Sequence, residues 1–220
     1  MSAMAGERRP HRIAWIIGLL LIATGALFTG SGLWIKAKAQ LAQVLIASAW
    51  AQNQADATTG RQASSQTIAS ARPWPWADTT PIARLHFDRD DASFIVLAGD
   101  SGATLAFGPG HHAASALAGE GGNMVVSAHR DTHFSLLRDA RIGERISVER
   151  RDGRRVEYAV ASLQVIDARD TGAVGPTDDE RLTLVTCWPF DAITPGGPLR
   201  YVVTALPAPR ASTPRISMGD

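Results

Sequence analysis

The chain reads as a mainly β domain, a barrel or a sandwich, carried behind one apolar helix. Three observations lead there. Beyond Pro73, short apolar or alternating runs recur at close intervals, each broken by Gly, Pro, Asp or Asn, the pattern of short strands joined by turns. The 23 residues from Ile13 to Ile35 carry no charged side chain. The only cysteine, Cys187, ends one of the alternating runs.

Taken in order, residues 1–12 form a short N-terminal segment with Arg8, Arg9 and Arg12. The apolar run 13–35 exceeds the roughly 20 residues that cross the hydrocarbon core of a bilayer. Trp15 and Trp34 stand near its ends, where interfacial aromatics belong, and the arginines favour a cytoplasmic N-terminus. A cleaved signal peptide is the rival reading, since Ala37-Lys38-Ala39 fits a small-x-small site. Its apolar region would then be far longer than the usual roughly 7 to 15 residues. The lipid bilayer is therefore an expected partner, and the rest of the chain is expected outside the cytoplasm.

Residues 36–72 divide into an Ala-, Leu- and Gln-rich stretch to Gln54, read as a helical stalk, and a linker of Ala, Ser, Thr and Gln. Pro73-Trp74-Pro75-Trp76 cannot continue a helix, so the globular domain, 73–206, is expected to begin there. Its strand candidates are Ala83–Phe87, Phe94–Leu97, Thr104–Phe107, Met124–Ala128, Arg145–Glu149, Val156–Ile166, Leu182–Thr186 and Tyr201–Ala205. Asp152-Gly153 marks a hairpin turn between two of them. Short helices are expected around His112–Leu117 and Ser135–Ala140, and residues 207–220, rich in Pro and Ser, are expected to be disordered.

At 220 residues the chain has room for one core and an accessory segment. Lys and Arg (22) nearly balance Asp and Glu (21), so no global field points to nucleic acid. A lone cysteine excludes an intrachain disulfide and a thiolate-rich metal site. What remains is an inert buried thiol, an intermolecular bridge or a nucleophile.

The surroundings favour the nucleophile. Leu182–Thr186 delivers Cys187 at a strand end before Trp188-Pro189, and Met124–Ala128 delivers His129 at another. Arg200 stands second in the run Leu199–Val203, where a chain returning antiparallel would come back beside Cys187. A thiolate attacks a carbonyl, an imidazolium protonates the departing amine, and a planar guanidinium donates to the tetrahedral oxygen. That set is sufficient for acyl transfer.

The block LVTC, an arginine thirteen residues later and a histidine 58 residues earlier in the context SAHR resemble the sortase signature. PWPWAD, FGPGHH, NMVVSAHRDTHF, LTLVTCWPFDA and PGGPLRYVV are similar to class D-like sortases of marine Gram-negative bacteria. The resemblance implies a closed eight-stranded β-barrel at the bacterial cytoplasmic (inner) membrane, its catalytic domain facing the periplasm or exterior. It implies a cysteine transpeptidase that cleaves an LPxTG-like C-terminal sorting signal of a secreted protein and hands the acyl group to an amine-bearing acceptor. Carried over, Cys187 is the nucleophile, His129 the general acid then base, and Arg200 the oxyanion or substrate-binding group. Thr186 and the loop before Arg200 frame the substrate groove, and no metal or other cofactor is required.

Other residues admit plainer readings. His112 lines the cleft or donates to a carbonyl, and Trp188 is either core packing or groove wall. His129 and His133 are four apart, but two ligands at that spacing converge on an ion only from a helix. Asp88 to Asp91 reads as a solvated turn, and Gly99-Asp100-Ser101-Gly102 as a β-turn rather than a serine nucleophile. Two further functions stay open: a non-catalytic membrane-tethered binding domain with Cys187 buried, and a cysteine endopeptidase that uses water as acceptor.

Overall fold

The computed structural model describes residues 9–59, 70–194 and 196–208. Most of the expected linker (60–69) and nearly all of the tail (209–220) lie outside them. The chain divides into two compact units, Met1–Val44 and Leu45–Asp220, and helix α1 (Arg9–Thr58) runs through both.

In the first unit α1 is long and apolar enough to cross a membrane. Trp15, Leu20, Ile22, Leu27 and Phe28 are exposed, as lipid-facing residues would be. Thr24 and Thr29 donate their hydroxyls to the carbonyls of Leu20 and Gly25 one turn back, and Ser31 donates to Phe28. These side-chain donors are thus satisfied within the helix, as a hydrocarbon environment requires.

The second unit shows that the stalk is part of the domain. Ile46, Ala49, Trp50 and Asn53 are buried, and their spacing puts them on one helical face. The Arg84 guanidinium lies 5.7 Å over the Trp50 ring. Gln54 Nε2 donates to Glu149 Oε1 at 2.8 Å, and the Asn53 amide pairs with Ala71, donating to its carbonyl at 3.3 Å and accepting from its N–H at 2.7 Å. The compact unit therefore begins at Leu45 rather than Pro73, and the helix runs to Thr58 rather than giving way to a linker after Gln54.

Eight strands close a barrel in the order β1-β2-β3-β4-β7-β8-β6-β5. They are β1 (Pro81–Phe87), β2 (Ala92–Ala98), β3 (Gly110–His111), β4 (Asn123–Ser127), β5 (Arg145–Arg150), β6 (Arg155–Asp167), β7 (Arg181–Trp188) and β8 (Leu199–Pro207). Strands β2 and β3 are parallel, as are β4 and β7, and the other pairs are antiparallel. Asp152-Gly153 does turn β5 into β6: Gly153 takes φ +78°, and its N–H donates to the Arg150 carbonyl at 3.0 Å. Alternate residues fill the interior, among them Leu85, Val96, Val126, Tyr158, Leu182, Leu184 and Val203.

Two local expectations fail. Thr104–Phe107 is not a strand: Ser101 caps a four-residue helix, α2 (Gly102–Leu105), by accepting from the Thr104 N–H at 3.3 Å. Serine's ability to satisfy a helix N-terminus outweighs the strand preference of a few residues. The segment His112–Leu117 forms turns rather than a helix. The Ser115 hydroxyl donates to the His112 carbonyl at 2.7 Å and accepts from the Val125 N–H at 3.1 Å, tying the segment to β4. The eighth strand is the two-residue β3, where a Cβ on Gly110 would run into the Gly99 carbonyl. The other expected helix forms as a 3-10 helix, Ser135–Asp139.

Replacing Trp50 by Ala removes a large, fully buried side chain, and urea unfolding should show a loss of about 3–5 kcal/mol. Hydrogen exchange over Leu45–Thr58 should rise more than exchange in β7.

Candidate active site

Strand alternation sorts β7 into two faces. Leu182 and Leu184 belong to the core, whereas Thr183, Val185 and Cys187 lie on the opposite face. In β4, Met124, Val126 and Ala128 point to the core, leaving Val125 and Ser127 outside. Val203 and Ala205 do the same for β8, leaving Arg200 and Val202 outside. Cys187 is paired directly with Arg200, and opposed residues of an antiparallel pair share a face.

The histidine arrives from the other side. Strands β4 and β7 pair with Ser127 level with Val185. The ladder continues past the end of β4: Ala128 N–H donates to the Val185 carbonyl at 3.1 Å, and the Thr186 hydroxyl donates to the Ala128 carbonyl at 2.8 Å. His129 follows Ala128 directly, two residues beyond the end of β4, and Cys187 stands two residues beyond Val185 on β7. Cys187 and Arg200 are thus direct cross-strand partners, and the Thr186–Ala128 bond fastens the start of the turn that carries His129 beside the end of β7. Cys187 is half-buried with a free thiol, and His129 is exposed.

Arg200 Nη1 donates to the carbonyls of Gly197 and Leu199, both at 2.9 Å. Its charge also reaches Asp167. Hydrogen bonds from the Arg169 side chain and N–H hold the Asp167 carboxyl below the usual carboxylate range, and Arg200 adds to them. A groove of about 210 Å³ runs along this outer face past Val125, Ser127, Val185 and Arg200. His112 stands in its wall, with Nδ1 3.0 Å from Asp100 Oδ2.

His133 lies in the turn after His129, where Phe134 N–H donates to the His129 carbonyl at 3.1 Å. Its ring meets Phe94 edge-on with centroids 5.6 Å apart. Burial lowers its pKa below the ordinary 6.5, and the charge of His129 lowers it further. The two imidazoles are therefore electrostatic neighbours, although no helix carries them.

Two candidates do not face the groove. Thr186 is only 2% exposed, and its hydroxyl is committed to Ala128, so it positions the segment leading to His129 instead of contacting a ligand. Trp188 packs against the core. It stacks on Tyr201 at 5.6 Å and 22°, and Phe190 meets it edge-on at 5.6 Å. Its β-strand alternation puts it on the Thr186 side, opposite to Cys187.

Asn123 was not legible as a site residue. It is buried and donates to the carbonyls of Ala173 and Gly175 at 3.2 and 3.0 Å while accepting from the Thr183 hydroxyl at 2.7 Å. Those bonds hold the β6–β7 loop, which supplies Asp170 and Val174 to the groove. Its only signal was a polar residue at the start of an apolar strand, which is too common to single it out.

A family model described as Sortase domain matches residues 85–208, more than half of the chain. Sortase D of Bacillus subtilis (strain 168) is 24% identical over 191 residues, covering 86% of this chain and 96% of that protein. Among solved structures, a Clostridium perfringens sortase D5 transpeptidase has the same fold at TM-score 0.59 and 19% identity, covering 76% of this chain and 99% of that one. The catalytic domain of sortase D from B. anthracis matches at TM-score 0.53 and 26% identity, over 66% of this chain and 97% of that domain. The closed barrel, the strand-end cysteine and this match across the domain lead to one conclusion: the chain belongs to the sortase family of cysteine transpeptidases.

Proposed function

We propose that the protein is anchored in the bacterial cytoplasmic membrane by the apolar part of α1, with its barrel outside. There it cuts an LPxTG-like sorting signal of an exported protein between Thr and Gly. The Cys187 thiolate attacks the threonine carbonyl, and Arg200 donates hydrogen bonds to the tetrahedral oxygen. His129 gives its proton to the departing glycine amine, leaving a thioester on Cys187. An incoming amine then attacks the thioester, His129 takes up the proton, and the thiolate leaves. The observations that carry this reading are the pairing of Cys187 with Arg200 and the bonds that tie Ala128, next to His129, to Val185 and Thr186. The groove on this outer face, lined by Val185 and Arg200, supports a peptide as the ligand.

His133 fits the scheme. Its burial and the neighbouring His129 both disfavour a positive charge on His133.

Incubating the full chain in detergent with LPxTG-type peptides and a panel of amines tests the scheme by mass spectrometry. A thioacyl adduct on Cys187 and an amine-ligated product are expected. Hydrolysed peptide alone, at every amine concentration, would instead make the protein an endopeptidase. Cys187→Ala should give no adduct, and Arg200→Lys, which keeps the charge but loses the planar fork, should slow acylation by about 10²–10³-fold.

A second expectation concerns pH. Because the folded pKa of His133 lies below its unfolded value near 6.5, the unfolded chain binds a proton that the folded chain resists. The stability this group contributes is present above pH 6.5 and is lost as pH falls toward the folded pKa. His133→Gln should lose less stability than wild type between pH 7.5 and 5.5 in denaturant titrations. An equal loss in both proteins would remove His133 as the cause.

A further inference from the structure

Arg130 follows His129 directly, yet it is only 8% exposed. Its Nη2 donates to the carbonyls of Ala192 and Thr194 at 2.8 and 2.9 Å. Both carbonyls belong to the loop between β7 and β8, which joins Cys187 to Arg200. Among the described residues no carboxylate forms an ion pair with Arg130, and Nη1 is buried without a hydrogen-bond partner. Burying a guanidinium this way carries a desolvation cost that two backbone carbonyls offset only in part. Global stability is a poor reason to keep such a group.

The loop explains its use. Among its described residues, Ala192 N–H donates to the Pro189 carbonyl at a long 3.4 Å, and Ile193 is fully exposed. An exposed loop with a long internal bond is held in one position by an external fastening. Arg138, on the 3-10 helix that follows His133, adds a second contact by lying 5.5 Å over the Phe190 ring. The segment carrying His129 therefore grips the loop that carries Cys187 into Arg200.

We propose that Arg130 is a positioning residue that clamps the β7–β8 loop to the His129 turn and keeps Cys187 and Arg200 placed against His129. This rests on the proposed roles of those three residues. The clamp works by orientation, and misplacing a reacting group by about 1 Å can cost on the order of 10²-fold in rate.

The test uses the full chain in detergent, comparing wild type, Arg130→Met and Arg130→Lys. It reads acyl-enzyme formation on Cys187 with an LPxTG-type peptide and hydrogen exchange across Phe190–Thr194. For Arg130→Met, kcat for acylation should fall about 10- to 100-fold with KM changed far less. Exchange in the loop should accelerate while β4 and β7 keep their protection. Arg130→Lys, with one ammonium in place of a two-carbonyl fork, should fall between the two. Unchanged loop exchange, or acylation within twofold of wild type, in whichever of the two variants folds, overturns the clamp. If wild type itself forms no acyl-enzyme, the transpeptidation scheme fails and loop exchange alone decides the clamp.

Discussion

The parallel contact between β4 and β7 is the constraint from which the site follows. These strands are far apart in sequence, and β5 and β6 lie between them, so the contact exists only once the barrel closes. Parallel neighbours cannot be joined by a tight turn. Their pairing is enforced instead by burial of Met124, Val126, Leu182 and Leu184, each worth about 1.5–3 kcal/mol when fully buried. A slip of one residue by either strand would turn its own pair outward, Met124 and Val126 or Leu182 and Leu184, and would displace His129 or carry Cys187 to the wrong face. Core packing and the placement of Cys187 are thereby one requirement.

Buried polar side chains extend that alignment beyond the strands. Thr186 holds Ala128 just before the histidine, and Asn123 holds the β6–β7 loop. Tyr158, buried in the core, donates its hydroxyl to Glu180 Oε1 at 2.7 Å, and the same oxygen accepts from Gly119 N–H at 2.8 Å. Burial and the Glu180 carboxylate together push the Tyr158 hydroxyl pKa upward, so it stays a donor. Each bond adds little net stability, yet breaking one strands a buried partner at a cost of about 1–3 kcal/mol. Such groups hold loops in single positions more effectively than they raise overall stability.

The β elements were largely legible because each strand carries its own two-residue period, and seven of the eight candidate runs are strands. The exchange of Thr104–Phe107 for Gly110–His111 has a local and a distant cause. Ser101 redirects the first segment into a helical turn, and the second is recruited only because β2 and β4 lie on either side of it. The stripe Ile46, Ala49, Trp50, Asn53 was present in the sequence, but an Ala-rich helix with a narrow apolar face reads equally well as a free stalk.

The candidate site divides in the same way. Cys187, His129 and Arg200 stood out from sequence alone because reactive side chains at the ends of strands are chemically conspicuous, and each strand end is a local property. The pairing of Cys187 with Arg200, and of β7 with the strand that leads to His129, joins segments separated in sequence, which no local pattern encodes. The roles of Thr186 and Trp188 were likewise decided by tertiary structure, since alternation along β7 turns both away from Cys187 and toward the core. Arg130 is the sharpest case: beside His129 it looks like a solvated turn residue, and only the β7–β8 loop folding back over it makes it a buried clamp.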